Sequence, residues 1–207
     1  IAAACSAAEK LLVLEDGTVR DYGPVRSVLG SPRSAFTSGL VDAARRIPVL
    51  STEAGGGLGA RPAVLEVENL SKSFGAGGGA VLCGLSLSVA RGEIVGVLGG
   101  SGCGKSTLLN MIGFLEPYDK GHILYDGKEV KTGKNKRKML RDHIGFIFQD
   151  FGLIENETVY DNMLIVKRIA KMKNRRKKIQ EQLAKLQLPE ETIDRKVYTL
   201  SGGEQQR

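Results

Sequence analysis

Gly99-Gly100-Ser101-Gly102-Cys103-Gly104-Lys105-Ser106 follows a short apolar run, Glu93 to Leu98, and opens a segment, Lys105 to Phe114, with helical patterning. The octapeptide fits the pattern GxxxxGK[ST]. A buried strand, a glycine-rich turn and a helix in that order place consecutive backbone N–H groups around phosphate oxygens, where a Cβ would obstruct the approach. The helix beginning near Lys105 adds the positive end of its dipole. In this pattern the lysine supplies a point charge to the β- and γ-phosphates, and the hydroxyl of Ser106 is placed to ligate Mg²⁺.

Outward from this turn the chain alternates strands and helices. Val64 to Leu70 and Leu85 to Val89 alternate apolar and polar residues, as strands with one solvated face do. Gly121 to Val130, with Asp126-Gly127 at its centre, reads as a hairpin, and Ile144 to Phe148 as a buried strand. Glu157 to Lys173 and Arg175 to Leu188 read as helices, the second amphipathic through Ile179, Leu183, Leu186 and Leu188. Near the start, Leu11 to Val19 reads as another hairpin, with Asp16-Gly17 as its turn. Residues 30 to 62 are rich in Gly, Pro, Ser and Ala, with one short helical stretch, Val41 to Ile47, and a glycine-rich linker, Glu53 to Gly59. These features predict a domain boundary near residue 62 and an α/β domain after it.

Composition narrows the class. The chain has 207 residues, 42% hydrophobic and 26% charged, and no apolar run long enough to span a bilayer. Cys5, Cys83 and Cys103 form no metal-spaced cluster and read as free thiols, and neither His122 nor His143 has a partner at ligand spacing. The net charge of +7 is uneven: nine basic residues balance nine acidic ones before Gly104, whereas twenty-one face fourteen from Gly104 onward. Neither dense run, Lys131 to Arg141 nor Lys167 to Lys178, is interleaved with aromatic residues that could stack on bases. A solvated loop and a solvated helix face are the plainer readings, and they argue against nucleic acid as a partner.

The last eight residues, Leu200-Ser201-Gly202-Gly203-Glu204-Gln205-Gln206-Arg207, read by themselves as a helix start capped by Ser201, with two glycines leaving backbone N–H groups open to an anion. Taken with the phosphate loop they resemble the LSGGQ-type signature of ATP-binding cassette (ABC) proteins, and Gly99 to Ser106 resembles the Walker A motif of that family. Phe74 lies where the family carries an aromatic residue that stacks on adenine, and Gln149 where the Q-loop glutamine reaches Mg²⁺ and senses the γ-phosphate. The resemblance covers residues 64 to 207.

It implies a P-loop NTPase fold of ABC type, α/β, with an antiparallel β subdomain and a helical subdomain. ATP and Mg²⁺ are the implied cofactors. Phe74, Gly99, Gly100, Ser101, Gly102, Cys103, Gly104, Lys105, Ser106 and Thr107 would hold the nucleotide in one subunit. Ser201, Gly202, Gly203 and Glu204 would cap the nucleotide of a second ATPase domain in a head-to-tail dimer. Lys105 and Gln149 would carry the catalytic roles, and Ser106 and Gln149 the metal. Asp150 to Asn162 would dock on a transmembrane permease subunit, which places the protein on the cytoplasmic face of the cell membrane. Leu109 to Gly113, Ile144 to Gln149 and Glu157 to Val159 resemble the macrolide-exporter, bacteriocin-exporter and lipoprotein-releasing branch.

Two further expectations concern the ends. The family pattern continues with an apolar strand ending in Asp-Glu, a D-loop and a switch histidine, none of which follows Arg207. As a cassette incomplete at its C-terminus, the chain is expected to bind ATP weakly, to turn it over little, and to leave apolar faces exposed. At the other end, Lys10 to Tyr22 within residues 1–29 resembles the closing strands of a preceding ABC ATPase domain, and Gly23 to Leu50 resembles the linker between tandem domains in some vitamin or metal importers, so the first half leans toward import. The shift from Ala, Gly and Arg to Lys, Asn and Ile fits either a join of two genes near Ser101 to Thr107 or one protein with an Ala/Gly-rich linker and a basic second half.

Overall fold

The computed structural model describes residues 7–45, 61–75, 79–130, 134–148, 151–165 and 173–207. They fall into two compact units, Ile1–Ile144 and Gly145–Arg207. The linker read at Glu53 to Gly59, and Cys5, lie outside the described residues.

The first unit begins with the expected hairpin, β1 (Lys10–Glu15) and β2 (Thr18–Pro24). Asp16 and Gly17 have φ of 47° and 73°, the pair of left-handed residues that matches the twist of a two-residue hairpin. After β2 come helix α1 (Val25–Gly30), which the sequence reading missed, and helix α2 (Ala35–Arg45), which starts six residues before the expected Val41. The local reason is a cap: Thr37 N donates to Ser34 Oγ at 3.0 Å, and Phe36 and Leu40, one turn apart, then pack on the same cluster.

Further along lie β3 (Ala63–Ser73), β4 (Ala80–Ala90), β5 (Val95–Gly99) and helix α3 (Lys105–Ile112). The hairpin does not stand apart from them. β1 pairs with β5 in parallel, with Leu14 opposite Gly99, to make a sheet of order β2-β1-β5. β1 is consequently buried on both faces. Leu12 and Leu14 enter a cluster with Leu82, Leu108 and Met111, whereas Leu11 and Val13 pack with Val28 and Leu98 on the other side. Each such side chain contributes about 1.5–3 kcal/mol of burial free energy. Gly17 is required where the hairpin meets β4, because a Cβ there would lie 2.3 Å from the Val81 carbonyl oxygen; Cys83 N donates to Gly17 O at 2.9 Å. Lys10 pairs with Glu93 at 2.9 Å, and the Tyr22 hydroxyl donates to Ser88 O.

The antiparallel sheet has the order β4-β3-β6-β7, with β6 (Lys120–Tyr125) and β7 (Lys128–Glu129) joined by Asp126 and Gly127 at φ of 46° and 71°. β3 alternates as expected up to Val67, then bulges at Asn69, whose φ is 50°. The bulge's loose donors are met by hydroxyls: Asn69 N donates to Ser86 Oγ and Gly84 N to Ser71 Oγ, both at 2.9 Å. The extra residue reverses the alternation, so Leu70 and Lys72 point inward after Leu65 and Val67. The basic run around residue 137 forms helix α4 (Lys134–Asp142), with Met139 and Leu140 packed on the core and Arg137, Lys138 and Arg141 exposed.

Two apolar segments depart from expectation. In β5 only Leu98 is buried, and Ile94 just before the strand is 54% exposed, because among the described residues β5 has a partner on one side alone. Ile144 to Phe148 forms no strand, and Ile147 is fully exposed. With no described strand beside it, its backbone N–H and C=O groups have no ladder to join.

The second unit is built on helix α5 (Val159–Leu164), helix α6 (Arg175–Lys185), two 3-10 turns (Glu190–Asp194 and Val197–Thr199) and helix α7 (Gly202–Gln206). Asp161 N donates to Thr158 Oγ1 at 3.0 Å and caps α5. Asn162 is buried, accepting from Ile154 N at 2.8 Å and donating to Ile154 O at 3.1 Å and Thr158 O at 2.9 Å. Ile179, Leu183 and Leu188 join Val159, Ile193, Val197 and Leu200 in one cluster. Leu186, expected on that face, caps the helix and is 41% exposed. Among the described residues no helix is long and apolar enough to cross a membrane, and no group of acidic, His and Cys residues is placed to hold a metal ion.

Candidate functional site

The phosphate loop is carried by the most deeply braced part of the first unit. β5 delivers Gly99 beside Leu14 of β1, and α3 leaves the loop with Leu108 and Met111 fully buried beneath it. Gly104 is the residue at the turn into α3. Its φ is 101°, and a Cβ would sit 2.9 Å from both Leu82 Cδ2 and the Val81 carbonyl oxygen. Among the described residues no side chain caps α3, so the N–H groups of its first turn have no side-chain acceptor there.

Lys105 folds back over this turn. Its ammonium donates to Gly99 O at 3.1 Å and to Gly100 O, and lies 3.5 Å from the sulfur of the buried Cys103. The turn thus brings together a cation held by loop carbonyls and a helix start that no side chain caps. Ser101, Gly102 and Ser106 are exposed at the rim, and Thr107 is half-buried. These residues fit a polyphosphate with Mg²⁺: the glycine turn and Lys105 would hold the phosphates, and the Ser106 hydroxyl would be a metal ligand.

Phe74 follows β3 and is 48% exposed. Its strand reaches the phosphate loop through β4: Lys72 is paired with Leu82, and Leu82 forms the wall against Gly104. The expected base platform and phosphate cradle therefore share one scaffold. Sequence reading missed the group beneath Phe74. Lys72 is buried, with its ammonium 5.0 Å from the Phe74 ring centroid, 3.2 Å from Glu116 and 3.4 Å from Asp119. Asp119 also accepts from Ser73 N at 2.7 Å and Ser73 Oγ at 3.0 Å, and these donors, with the Lys72 ammonium, hold its carboxyl below the usual range. Nothing in the alternation of β3 marks Lys72, because only the bulge at Asn69 turns it inward.

Gln149 and Asp150 lie outside the described residues, so the Q-loop expectation has no structural counterpart here. The signature lies in the second unit. Ser201 caps α7 in both directions: Ser201 Oγ accepts from Glu204 N at 3.3 Å, and Ser201 N donates to Glu204 Oε2 at 2.7 Å. The Ser201 amide and hydroxyl, with Arg195 at 3.3 Å, hold the Glu204 carboxyl below its ordinary pKa. Gln205 donates to Val197 O at 3.2 Å and Leu200 O at 3.1 Å, which ties the signature to the buried turn before it. Gly202 and Gly203 are exposed and open.

Comparison with known proteins agrees with this geometry. Residues 82–207 match the family described as ABC transporter. The chain is 39% identical over 150 residues to the lipoprotein-releasing system ATP-binding protein LolD of Aquifex aeolicus, covering 70% of this chain and 65% of that protein. It is also 39% identical over 147 residues to the methionine import ATP-binding protein MetN of Clostridium acetobutylicum, covering 70% and 45%. The dimeric structure of MJ0796, a bacterial ABC transporter cassette, superposes with a TM-score of 0.59 at 32% identity over 68% of this chain and 65% of that one. The chain thus spans less than two thirds of each of them. The family match over more than half of the chain shows that it belongs to the ABC transporter family.

Proposed function

We propose that the chain is the ATP-binding part of a transporter ATPase that couples ATP binding and hydrolysis to movement of substrate across or out of a membrane. The observation that carries this reading is the phosphate loop, with Lys105 folded over a turn of uncapped N–H groups. Bound ATP supplies the phosphoryl group whose transfer to water drives the cycle; this chain's residues bind and orient it. Lys105 and the N–H groups of the first turn of α3 would hold the phosphates, and Ser106 and Gln149 would hold Mg²⁺, which would neutralise the phosphate charge. Phe74 stacks on the base. Ser201, Gly202, Gly203 and Glu204 face the nucleotide of a second ATPase domain in a head-to-tail dimer, an arrangement supported by the dimeric form of the similar cassette MJ0796.

The remaining assignments follow the family. A transmembrane permease subunit receives the motion through residues 150–162, which places the protein peripherally on the cytoplasmic face of the membrane. Export or release from the membrane is the direction we favour, on the resemblance of Leu109 to Gly113, Ile144 to Gln149 and Glu157 to Val159 to the exporter and lipoprotein-releasing branch. Residues 1–29 resemble the closing strands of a preceding cassette, followed by a linker at residues 30–62; in this chain those strands extend the sheet beside β5.

The test is equilibrium binding of radiolabelled ATP with Mg²⁺ to the chain and to Lys105→Ala. Loss of a charged hydrogen-bond donor to phosphate is expected to weaken binding about 10- to 100-fold. Equal affinity in the two proteins would remove the reading.

A further inference from the structure

Burying an ammonium is unfavourable unless its charge is met, and Lys72 meets two carboxylates at 3.2 and 3.4 Å while only 8% of its side chain is exposed. An ion pair alone does not need the aromatic ring, yet the ammonium lies 5.0 Å from the centroid of Phe74, within cation–π range. The ring itself is half open to solvent. Both carboxylates come from the segment that leaves α3, the helix that starts at the phosphate loop. Asp119 binds that segment to the end of β3 at three points: through Ser73 N, through Ser73 Oγ and, in the reverse direction, from Asp119 N to Ser71 O at 3.0 Å. The aromatic platform is thus positioned by the far end of the helix that holds the phosphates.

We propose that Lys72 is a positioning and specificity-determining residue for the nucleotide base: held by Glu116 and Asp119, its ammonium fixes the Phe74 ring from beneath and polarises it for stacking with an electron-rich purine. This rests on the reading of Phe74 as the base platform. A cation against one face of the ring draws its π density inward, which lowers the repulsion between the opposite face and the π system of a stacked adenine. The fixed ion pairs also remove the freedom that a half-exposed ring would otherwise lose on binding.

The experiment compares the dissociation constants of ATP and of inorganic tripolyphosphate, each with Mg²⁺, because the second ligand has the phosphates and no base. In Lys72→Met the ATP constant is expected to rise about three- to tenfold with tripolyphosphate unchanged. Lys72→Arg, which keeps a cation over the ring, should stay within about twofold of the parent. Adding Lys72→Met to Phe74→Ala should change neither constant further. Equal weakening of both ligands by Lys72→Met would make the lysine a purely structural tie and overturn the proposal. So would an unchanged ratio in Lys72→Met while Phe74→Ala raises it, in which case the platform stands without the lysine. An unchanged ratio in Phe74→Ala removes the platform itself. If Lys72→Met does not fold, Glu116→Gln carries the same test: it loosens the ammonium and should raise the ratio, and no rise overturns the proposal.

Discussion

The two glycine-rich turns of this chain, one before α3 and one before α7, start their helices in opposite ways. At Gly104 no side chain caps the helix, and the nearby ammonium is occupied with loop carbonyls. At Ser201 a reciprocal capping box satisfies the Ser201 and Glu204 amides from within the turn. An uncapped helix start is less stable in isolation, and the first turn can be left open because β1, the strand beside β5, is buried on both faces. The second turn stands on a smaller cluster, around Ile193, Val197 and Leu200, and closes on itself. Readiness for a ligand is therefore borrowed from the surrounding packing, and the phosphate loop has more to borrow from.

The largest effect that could break this comparison lies under the first turn. Leu12→Ala should cost about 2–5 kcal/mol in urea unfolding and lower the hydrogen-exchange protection of α3, because Leu12 packs with Leu108 and Met111. Unchanged protection in α3 would mean that the hairpin and the phosphate loop do not share a core. Gly104→Ala should cost about 2–3 kcal/mol from its left-handed backbone and the approach of Val81 O and Leu82, and should remove most ATP binding. Ser201→Ala, at the closed turn, should cost about 1 kcal/mol, read as faster amide exchange confined to residues 201–206. An effect as large as that of Gly104→Ala would show that the two turns are braced alike.

The smallest expected effect is a pH dependence at the joint between the hairpin and β5. Burial pushes the Glu93 carboxyl up, but the Ala90 amide at 2.7 Å and the Lys10 ammonium at 2.9 Å outweigh it and leave the pKa lowered. A carboxyl depressed in the folded state contributes stability that is fully present above its unfolded pKa, near 4.5, and is lost as pH falls through the lower folded value. Urea midpoints of the parent should therefore fall as the pH drops below about 5, and Glu93→Gln should flatten that limb. Parallel acid limbs in the two proteins would take Glu93 out of the joint.

What could be read before folding followed from short-range chemistry. Asp16-Gly17 and Asp126-Gly127 are hairpin turns because those residue types accept the left-handed backbone that such turns require. The phosphate-loop motif and the signature cap each span residues no more than seven apart in the chain, so both are legible as local patterns. The helix start at Ala35 was legible in principle through the Ser34 cap, although the composition around it suggested only a linker.

Other features needed partners distant in sequence. Pairing of β1 with β5 joins Lys10 to Val95, and no periodicity in either strand announces its neighbour. Ile144 to Phe148 has the composition of a buried strand, but a strand exists only where another ladder accepts its hydrogen bonds. Lys72 reads as a surface lysine until one bulge, whose donors are met by serines 13 to 17 residues away, turns it inward beneath Phe74. The sequence by itself determined the family and the two hairpin turns, because each is carried by short local patterns. Tertiary structure alone decided which strand supports the loop and which lysine lies under the ring, because both depend on register, and register is set by contacts between distant segments.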